Sequence, residues 1–311
     1  MIHSNRADAA APQTVEVSED IYAYLQPDGT WYINNTGFLV GGGGVISIDA
    51  CATQQRTRAL LAAIASMTAL PVRTLINTHH HGDHTYGNYL FGGATIVAHE
   101  RCREGVLASG LPANLGVWTD VDWGIPELAP PFLTYADAVT VWSGDTRCDV
   151  RYVGMPAHTT NDSLIWLPER SVLFAGDLAF SGGTPFLLMG SVEGAIEVLD
   201  RVVKPLGAQT IVPGHGPVSG PAVIDEMLGY LRFVLDVARR GMAAGLSPLD
   251  AARQTDLGGY AGLLDSERIV GNLHRAYAEL AGAPRGAEID LIAALTDMIS
   301  YNGGRPLTCH A

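Results

Sequence analysis

Residues 77–84 read Asn77-Thr78-His79-His80-His81-Gly82-Asp83-His84 and hold four of the ten histidines of the chain. The five residues before them, 72–76, have the pattern of a buried strand. We therefore expect these histidines at the carboxyl end of a strand, where α/β proteins build their sites. From one compact turn, His79 and His81 can reach one cation while Asp83 and His84 reach a second.

Three further candidate ligands lie downstream, each just beyond a stretch that is predicted to be a strand. They are His158 after residues 150–153, Asp177 after residues 172–174, and His215 after residues 210–212. Taken singly, either histidine could be a loop residue and the aspartate a helix N-cap. Taken together with residues 77–84, four strand ends supply five histidines and two aspartates. Imidazole and carboxylate ligands without thiolates suit Zn²⁺, Fe or Mn.

The complete pattern resembles that of the metallo-beta-lactamase superfamily, which is H-x-H-x-D-H followed by a lone histidine, an aspartate and a last histidine. All of its parts occur in order over residues 79–215, and flanking strands extend the resemblance over about residues 15–218. The resemblance implies an α/β fold, a four-layer αββα sandwich, with a dinuclear metal site between its halves. It also implies the ligands, which are His79, His81 and His158 on one metal, Asp83, His84 and His215 on the other, and Asp177 as the bridge.

The remaining residues of the motif region receive different roles. Asp83 is also the implied catalytic residue, because a carboxylate there can orient the nucleophile and pass its proton to the leaving group. His80 fills a variable position of the motif, so we expect it behind the ligands or at the surface. The other histidines match nothing in the motif and are expected to be structural; they are His3, His99, His274 and His310.

The first hundred residues predict several short strands. These are residues 15–17, 21–25, 31–33, 38–40, 45–48 and 95–98. Four glycines, residues 41–44, separate two of the strands, and no Gly-Lys-Ser/Thr helix start follows them, so a hairpin turn is expected instead of a phosphate-binding loop. A helix is predicted over residues 53–67.

Helical periodicity dominates the end of the chain. The predicted helices are residues 192–203, 224–240, 248–254, 267–280 and 288–299. Strands mixed with helices, followed by a helical tail, predict α/β layers with a helical addition. We expect a core over residues 1–220 and a helical extension over residues 221–311, packed on the core as one functional unit.

Composition excludes several classes of protein. The 311 residues carry 32 acidic and 19 basic side chains, a formal charge of −13, which would repel a phosphate backbone, so no nucleic-acid partner is expected. The longest apolar stretch that could be helical, residues 59–70, is too short to cross a bilayer, so no membrane partner is expected. Residues 1–13 lack the apolar segment of an export signal, which predicts a cytoplasmic protein. The four cysteines are widely spaced and are expected to be free thiols.

The implied metal pair indicates the reaction class. Two divalent cations about 3.5–4 Å apart lower the pKa of a shared water to about 7 and polarise a carbonyl oxygen. The sequence has no G-x-S-x-G motif and no cysteine matched to a histidine, so a covalent mechanism has no support. Metallo-beta-lactamases proper usually lack the bridging aspartate, and the related nucleases and flavoproteins need larger additions. A hydrolase of thioesters, lactones or similar carbonyl compounds is therefore expected.

Three segments, residues 27–37, 161–168 and 182–191, resemble second-ring cyclases of bacterial aromatic polyketide synthesis, of the actinorhodin type. This narrower resemblance implies aldol cyclisation of a polyketide held on an acyl carrier protein, followed by thioester hydrolysis at the same metals. The candidates for the substrate pocket are Trp31, Tyr32, Asn35, Tyr86, Phe186 and Met189. The alternative for these side chains is core packing, and Tyr86 is also a candidate proton donor.

Two alternatives to the cyclase and thioesterase stay open at this point. One is a general metallohydrolase resembling glyoxalase II or a lactonase, and the other is a metal-binding protein without activity. An acidic carrier would need a basic patch on this acidic chain, for which five arginines of the C-terminal helices are candidates. They are Arg232, Arg239, Arg240, Arg253 and Arg275. The alternative for these arginines is a solvated helix face.

Overall fold

The computed structural model describes residues 11–311. Residues 1–10, which include His3 and most of the segment considered as an export signal, lie outside the described part. Strands and helices are numbered below in chain order.

One sheet has seven strands in sequence order. They are β1 (Gln13–Ser18), β2 (Ile21–Leu25), β3 (Thr36–Gly41), β4 (Gly44–Ile48), β5 (Val72–Ile76), β6 (Thr95–His99) and β7 (Leu133–Tyr135). The first four pair antiparallel, and β4 to β7 pair parallel. The glycine segment 41–44 forms the β3–β4 hairpin, as predicted. Parallel pairing brings the carboxyl ends of β4 and β5 to the same edge of the sheet.

The other sheet has five strands. They are β8 (Ala138–Ser143), β9 (Thr146–Tyr152), β10 (Ser163–Leu167), β11 (Val172–Phe180) and β12 (Thr210–His215), again adjacent in sequence order. All pairs are antiparallel except β11 with β12, whose parallel connection passes through helices. The final residues of β9, β11 and β12 therefore approach the same cleft from a second direction.

Eight α-helices complete the described chain. They are α1 (Gln54–Met67), α2 (Gly82–Thr85), α3 (Glu100–Ser109), α4 (Val192–Val198), α5 (Ala222–Ala243), α6 (Pro248–Gln254), α7 (Arg268–Leu280) and α8 (Leu291–Tyr301). Helix α1 begins where predicted because the Thr53 hydroxyl accepts from the Arg56 amide as an N-cap. Its buried side chains, Thr57, Leu60 and Ile64, follow the helical spacing that faces a sheet.

Three apolar clusters define the layers. Side chains of both sheets, such as Leu39 and Ile165, share the central cluster, so the sheets pack face to face. Leu60 of α1 packs with strands of the first sheet on its outer side, and Leu231 of α5 packs with Leu173 of β11 on the outer side of the second. The structure therefore has the predicted α/β arrangement of helix, sheet, sheet and helix layers. The division of the chain at residues 220 and 221 stays a prediction.

Two sequence predictions about local structure are wrong. Residues 31–33 form a turn between β2 and β3 instead of a strand, and Tyr32 there has a positive φ of 62°. Asp177 does not follow its strand but lies within β11, which continues to Phe180. The register of β11 against β12 shifts around Gly176, whose φ is 51°, and this irregularity re-aims the neighbouring Asp177.

Other expectations concern single residues. All four cysteines are free, as predicted, and all four are buried. The prediction that Arg275 belongs to a basic surface patch is wrong, because Arg275 is buried and donates to the carbonyls of Leu188 and Ala287. Arg232 is exposed but pairs with Asp200. Among residues 11–311, no helix combines the length and the apolar character that a bilayer span requires.

Candidate metal centre

The 77–84 segment turns sharply at the carboxyl end of β5. His79 and His81 lie in this turn, and His81 is the residue before the single-turn helix α2. Helix α2 carries Asp83 and His84, both buried, on its first turn. One short segment thus points four side chains into the cleft, as its position after a strand predicted.

The other candidate ligands come from the second sheet. His158 lies in the loop after β9, Asp177 lies at the irregularity of β11, and His215 is the last residue of β12. Gly214 has to be a glycine, because a Cβ there would lie 1.9 Å from Oδ1 of Asp177. The close approach of β12 to β11 is therefore part of how Asp177 is accommodated.

The side chains gather into two groups. His79, His81, His158 and Asp177 form one, and Asp83, His84 and His215 form the other; within each group the donor atoms lie within 4.8 Å of one another. Nε2 of His158 lies 2.9 Å from Nδ1 of His81 and 3.3 Å from Oδ2 of Asp177. In the second group, Nε2 of His215 lies 3.2 Å from Oδ2 of Asp83.

Asp177 lies between the two groups. Its Oδ1 is 3.1 Å from Nε2 of His84, and its Oδ2 is 3.4 Å from Nε2 of His215 and 3.3 Å from Nε2 of His158. One carboxylate thus contacts histidines of both groups. This position agrees with the bridging role implied by the sequence; the assignment of ligands to particular metals stays a prediction.

Hydrogen bonds fix the orientation of four imidazoles. Nδ1 of His84 lies 2.8 Å from Oδ2 of Asp49, and Nδ1 of His215 lies 3.1 Å from the Gly29 carbonyl. Nδ1 of His158 faces the Phe186 carbonyl, and Nδ1 of His79 faces the Thr78 hydroxyl. In each case Nε2 is left to face the cleft, which is the arrangement that orients histidine ligands in metal sites.

Asp49 is a functional residue that the sequence analysis missed. Besides contacting His84, it accepts from the Thr78 amide at 2.7 Å and from the Thr78 hydroxyl at 2.7 Å. It therefore ties the first turn after β5 to the end of β4. Its position in the sequence could have identified it, because Asp49 directly follows a buried strand, and the candidate ligands were predicted to follow strands in the same way.

Unpaired buried atoms test whether cations fit this cluster. Nε2 of His79 is buried and has no hydrogen-bond partner within the described chain, and the buried atoms Nε2 of His84 and Oδ1 of Asp177 lie 3.1 Å apart without the geometry of a hydrogen bond. Buried polar atoms without partners are costly and rare in folded proteins. All three belong to the two groups and are of the types that bind divalent cations, so the residues present fit a dinuclear metal site.

The electrostatics of the cluster separate its histidines. Burial, together with neighbouring imidazoles, holds the pKa of His79 and His81 well below the usual range. Burial also opposes a charge on His84 and His215, but the surrounding carboxylates outweigh it and raise the pKa of His215 to about 9 and that of His84 well above its usual value. Burial alone would raise the pKa of Asp83, but His84 and His215 lower it to about 2. The two carboxylates thus favour positive charge in this cluster, which protons on His84 and His215 supply when no metal ion is bound.

The other described histidines are outside both groups. His80 is buried and contacts Asn161, so it lies behind the ligands and is not at the surface. His99 caps α3, and His274 contacts Asp297 at 2.8 Å, which are structural positions as expected. The carbonyl of His310 accepts from Arg56.

A cavity of about 190 Å³ opens onto the cluster, and aromatic side chains form much of its wall. It includes Asp83 and Asp177, and five of the six pocket candidates line it; these are Trp31, Tyr32, Tyr86, Phe186 and Met189. Asn35 does not line it. Its side chain is buried and donates to the carbonyls of Pro213 and Gly216, which hold the loop around His215. The expectation that Asn35 lines the pocket was therefore wrong, because its side chain instead supports the loop around His215.

Several wall residues were not found from the sequence. The Arg268 guanidinium, from α7, lies 4.1 Å from the Trp31 ring, and Nε1 of Trp31 donates to Glu267 at 2.6 Å. Trp118 packs edge-on against both Trp31 and Tyr32. These contacts join segments far apart in the chain, and no local motif marks them. Helix α7 thus contributes directly to the wall of the cavity.

Comparison with known families decides the relationship of this chain. A family model described as the Metallo-beta-lactamase superfamily matches residues 29–215. The chain belongs to the metallo-beta-lactamase superfamily. The match ends at the last candidate ligand, so this superfamily member carries its full His/Asp set within the matched region. Its His and Asp groups are positioned for a dinuclear metal site.

One relative of this superfamily member is named as a hydrolase and another as a thioesterase. A hydroxyacylglutathione hydrolase from Rhodospirillum rubrum is 30% identical over 150 residues, which are 48% of this chain and 50% of that protein. An atrochrysone carboxyl ACP thioesterase from Aspergillus fumigatus is 27% identical over 235 residues, 75% of this chain and 64% of that protein. The chain thus spans half the length of the first relative and less than two thirds of the second.

Solved structures show the same fold. A metallo-beta-lactamase from Pontibacter korlensis matches with a TM-score of 0.60 at 19% identity, over 71% of this chain and 99% of that chain. At this identity the likeness bears on the fold alone.

Proposed function

We propose that this protein is a dinuclear metal-dependent enzyme that closes the second ring of a carrier-bound aromatic polyketide by aldol cyclisation and hydrolyses its thioester. One observation carries the proposal: the cavity beside the His/Asp cluster is walled by aromatic side chains, including Trp31, Tyr32 and Phe186. Flat acyl chains pack well against aromatic faces, and their carbonyl oxygens can point at the cluster. A small polar acyl group would leave this wall unused.

The relatives support thioester chemistry on a carrier. The Aspergillus protein is named as a thioesterase with a carrier-bound substrate, and the Rhodospirillum protein as a hydrolase of hydroxyacylglutathione. A glutathione thioester is less well matched to this cavity, because glutathione carries two carboxylates. Arg268 is the one Lys or Arg among the described lining residues, and it already pairs with Asp265 at 2.7 Å.

The donor set favours zinc as the resident metal. All seven candidate ligands offer imidazole nitrogen or carboxylate oxygen, which suits two Zn²⁺ ions, and Fe or Mn can use the same set. His79, His81 and His158 would hold one ion, Asp83, His84 and His215 the other, and Asp177 both. When bound, such a pair supplies a water of lowered pKa and an electrophile for a carbonyl oxygen.

The chain itself contributes proton transfer and orientation. In the hydrolysis, the water oxygen bonds to the acyl carbon, the carbon–sulfur bond breaks, and Asp83 carries the proton of the water to the departing sulfur. In the cyclisation, a carbon between two carbonyls loses a proton and bonds to the carbon of a further carbonyl group, whose C=O π bond breaks and whose oxygen takes up a proton. The resulting hydroxyl then leaves as water with the remaining hydrogen of the attacking carbon. The wall formed by Trp31 and Phe186 keeps the polyketide in a folded conformation and excludes bulk water. Ring closure of the polyketide therefore precedes hydrolysis of its thioester.

A general hydrolase of thioesters or lactones is the second candidate. The observation in its favour is the 30% identity to the Rhodospirillum hydrolase. That match covers only 48% of this chain, so it leaves much of the chain without a counterpart. The cytoplasmic location and the absence of nucleic-acid and membrane partners also stay predictions.

Three substrates separate these functions. The metal-loaded protein is incubated with an aromatic polyketide linked to N-acetylcysteamine, with a simple acetyl thioester and with an acyl-lactone. We expect a cyclised free acid from the first, identified by mass spectrometry and its ultraviolet spectrum. Hydrolysis without ring closure would support the general hydrolase, and turnover of the lactone alone would contradict both carrier-related activities.

Metal content gives an independent test of the site. Elemental analysis should find about two equivalents of Zn, Fe or Mn per chain after metal supplementation, since two ligand groups are present. Less than about one equivalent would contradict the dinuclear site.

A further inference from the structure

A groove runs along one face of α3, beside the aromatic cavity. Its volume is about 810 Å³, and one side is formed by Arg101, Glu104, Gly105 and Ala108. These residues are three, four and seven positions apart, so they share one face of the helix. The opposite side is the segment of residues 286–292, which leads into α8.

The groove joins the aromatic cavity at the carboxyl end of α3. His80, Ser109 and Met189 line both spaces. Gly105 lets the helix approach this junction, because a Cβ there would lie 2.6 Å from Cγ of His80. A flexible chain in the groove can therefore lead from the metal cluster to the surface.

The outer end of the groove carries a cation. Arg101 is exposed on the first turn of α3, where its guanidinium donates to the Tyr152 hydroxyl at 3.2 Å and lies 5.7 Å from the ring centre. It forms no ion pair within residues 11–311, although Glu104 lies one turn away. Between this end and the junction, the side chains of Thr160 and Asn161 add polar groups to the floor. The groove is thus lined by polar groups, with Arg101 as its exposed cation and with Glu104, Glu288 and Asp290 as its acidic residues.

The length of the groove agrees with one class of ligand. From Arg101 to Ser109, a helix that rises about 1.5 Å per residue covers about 12 Å. From sulfur to phosphorus, phosphopantetheine has two amide bonds and is comparable to between four and five extended residues, or about 15 Å, which the helix and the reach of the Arg101 side chain together cover. With its sulfur at the junction, such an arm would bring its phosphate to the outer end.

We propose that this groove binds the phosphopantetheine arm of the carrier, with the thioester sulfur at the junction of His80, Ser109 and Met189 and the phosphate at Arg101. This inference rests on the proposed function, since it assumes a carrier-bound substrate. It assigns recognition of the carrier to a segment outside the metal motif. Because the phosphate joins the arm to the carrier, the carrier itself would lie at the mouth of the groove beside Arg101.

Filling the groove tests the proposal kinetically. Ala108→Trp places an indole in it, and Leu107→Trp is the matched control, because Leu107 is 47% exposed on the same helix and does not line the groove. Two thioesters of the same aromatic acid are compared, one of pantetheine and one of ethanethiol. We expect Ala108→Trp to raise KM for the pantetheine thioester by about tenfold or more. The ethyl thioester should change less than about twofold, as should both substrates with the control.

Binding of free phosphopantetheine gives a readout that does not depend on turnover. By calorimetry, Ala108→Trp should weaken this binding about tenfold, and Leu107→Trp should not. Arg101→Ala should weaken phosphopantetheine about tenfold while leaving pantetheine unchanged, because only the phosphate makes a charge-assisted contact. This second variant keeps the test valid if the tryptophan disturbs α3, which circular dichroism would reveal.

The outcomes separate the groove from the activity. If Ala108→Trp raised KM equally for both thioesters, or for neither, the groove assignment would be overturned while thioester hydrolysis would stay in place. If the wild-type protein hydrolysed neither thioester, the proposed function would fail, and calorimetry would still decide the groove. If Ala108→Trp and Arg101→Ala both weakened phosphopantetheine binding, the groove assignment would be supported. If the wild-type protein did not bind phosphopantetheine, the groove assignment would be overturned.

Discussion

The His/Asp cluster and the aromatic cavity share a boundary, but the chain builds them differently. The ligand side chains lie at or near strand ends, and hydrogen bonds such as that from His84 to Asp49 fix their rings. The cavity wall instead combines a turn, long loops and a helix, and its Trp31–Glu267 hydrogen bond spans 236 positions of the chain. The comparison teaches that the chemistry is tied to the rigid sheets, whereas substrate selection depends on contacts between distant segments.

The largest effect is expected on the cluster side. Asp177→Asn removes the charge that contacts both groups of histidines, so one metal should be lost and turnover should fall at least about 100-fold. Elemental analysis and thioester hydrolysis measure the two effects. Asp225→Asn is the control, because Asp225 is an exposed partner of Lys204. Retention of two metals with full turnover would mean that Asp177 does not bridge.

A pH-dependent effect is expected on the cavity side. Burial, only partly offset by Arg268, raises the pKa of Asp265 from its ordinary 3.8 to about 6. The folded protein therefore holds this proton more tightly than the unfolded chain, and ionisation costs stability. The cost is absent below about pH 4 and complete above about pH 6, where it reaches about 3 kcal/mol.

Unfolding by urea between pH 4 and pH 7 measures this effect. Metal-free wild-type protein should lose about 3 kcal/mol relative to Asp265→Asn as the pH rises over this range. We compare how the free energy of unfolding changes with pH in the two proteins. This comparison removes the pH-independent effect of Asp265→Asn, which leaves Arg268 without a carboxylate partner. Parallel stability curves for the two proteins would contradict the raised pKa.

A smaller effect is expected behind the ligands. Asp49→Asn weakens the hold on His84, and metal affinity should fall about 10- to 100-fold, as is typical of residues that orient a ligand. Competition with a chelator measures the affinity. Asp149→Asn is the matched control, because Asp149 is similarly buried but contacts Arg147 and Arg151 of its own strand. Equal affinities in both variants would show that the turn holds His84 without Asp49.

The smallest effect is expected on the aromatic wall. Trp31→Phe removes the hydrogen bond to Glu267 and part of the ring, so KM for an aromatic thioester should rise about tenfold without loss of metal. An acetyl thioester should respond much less. Trp142→Phe, at an exposed position of β8, is the control. If metal content fell with Trp31→Phe, the cluster and the wall would not be separable.

Sequence reasoning succeeded where local pattern determines structure. The predicted strand over residues 72–76 and the predicted helix over residues 248–254 have the bounds that the structure shows, because their periodicity is read from adjacent residues. It failed for residues 31–33, which have the composition of a strand because they are largely buried but lie in the connection between β2 and β3. It also failed for Asp177, whose carboxylate is positioned by a register shift inside β11. Asn35 was assigned to the pocket because its contacts with the His215 loop are not local.

The sequence by itself determined the family, the α/β layers and the seven candidate ligands, because strand ends and their polar residues are encoded within short segments. Only the tertiary structure placed Asp49 on His84, Arg268 over Trp31 and the α3 groove beside the cavity. These features arise where segments far apart in the chain pack together. Such contacts depend on the packing of layers and leave no periodic signal in the sequence.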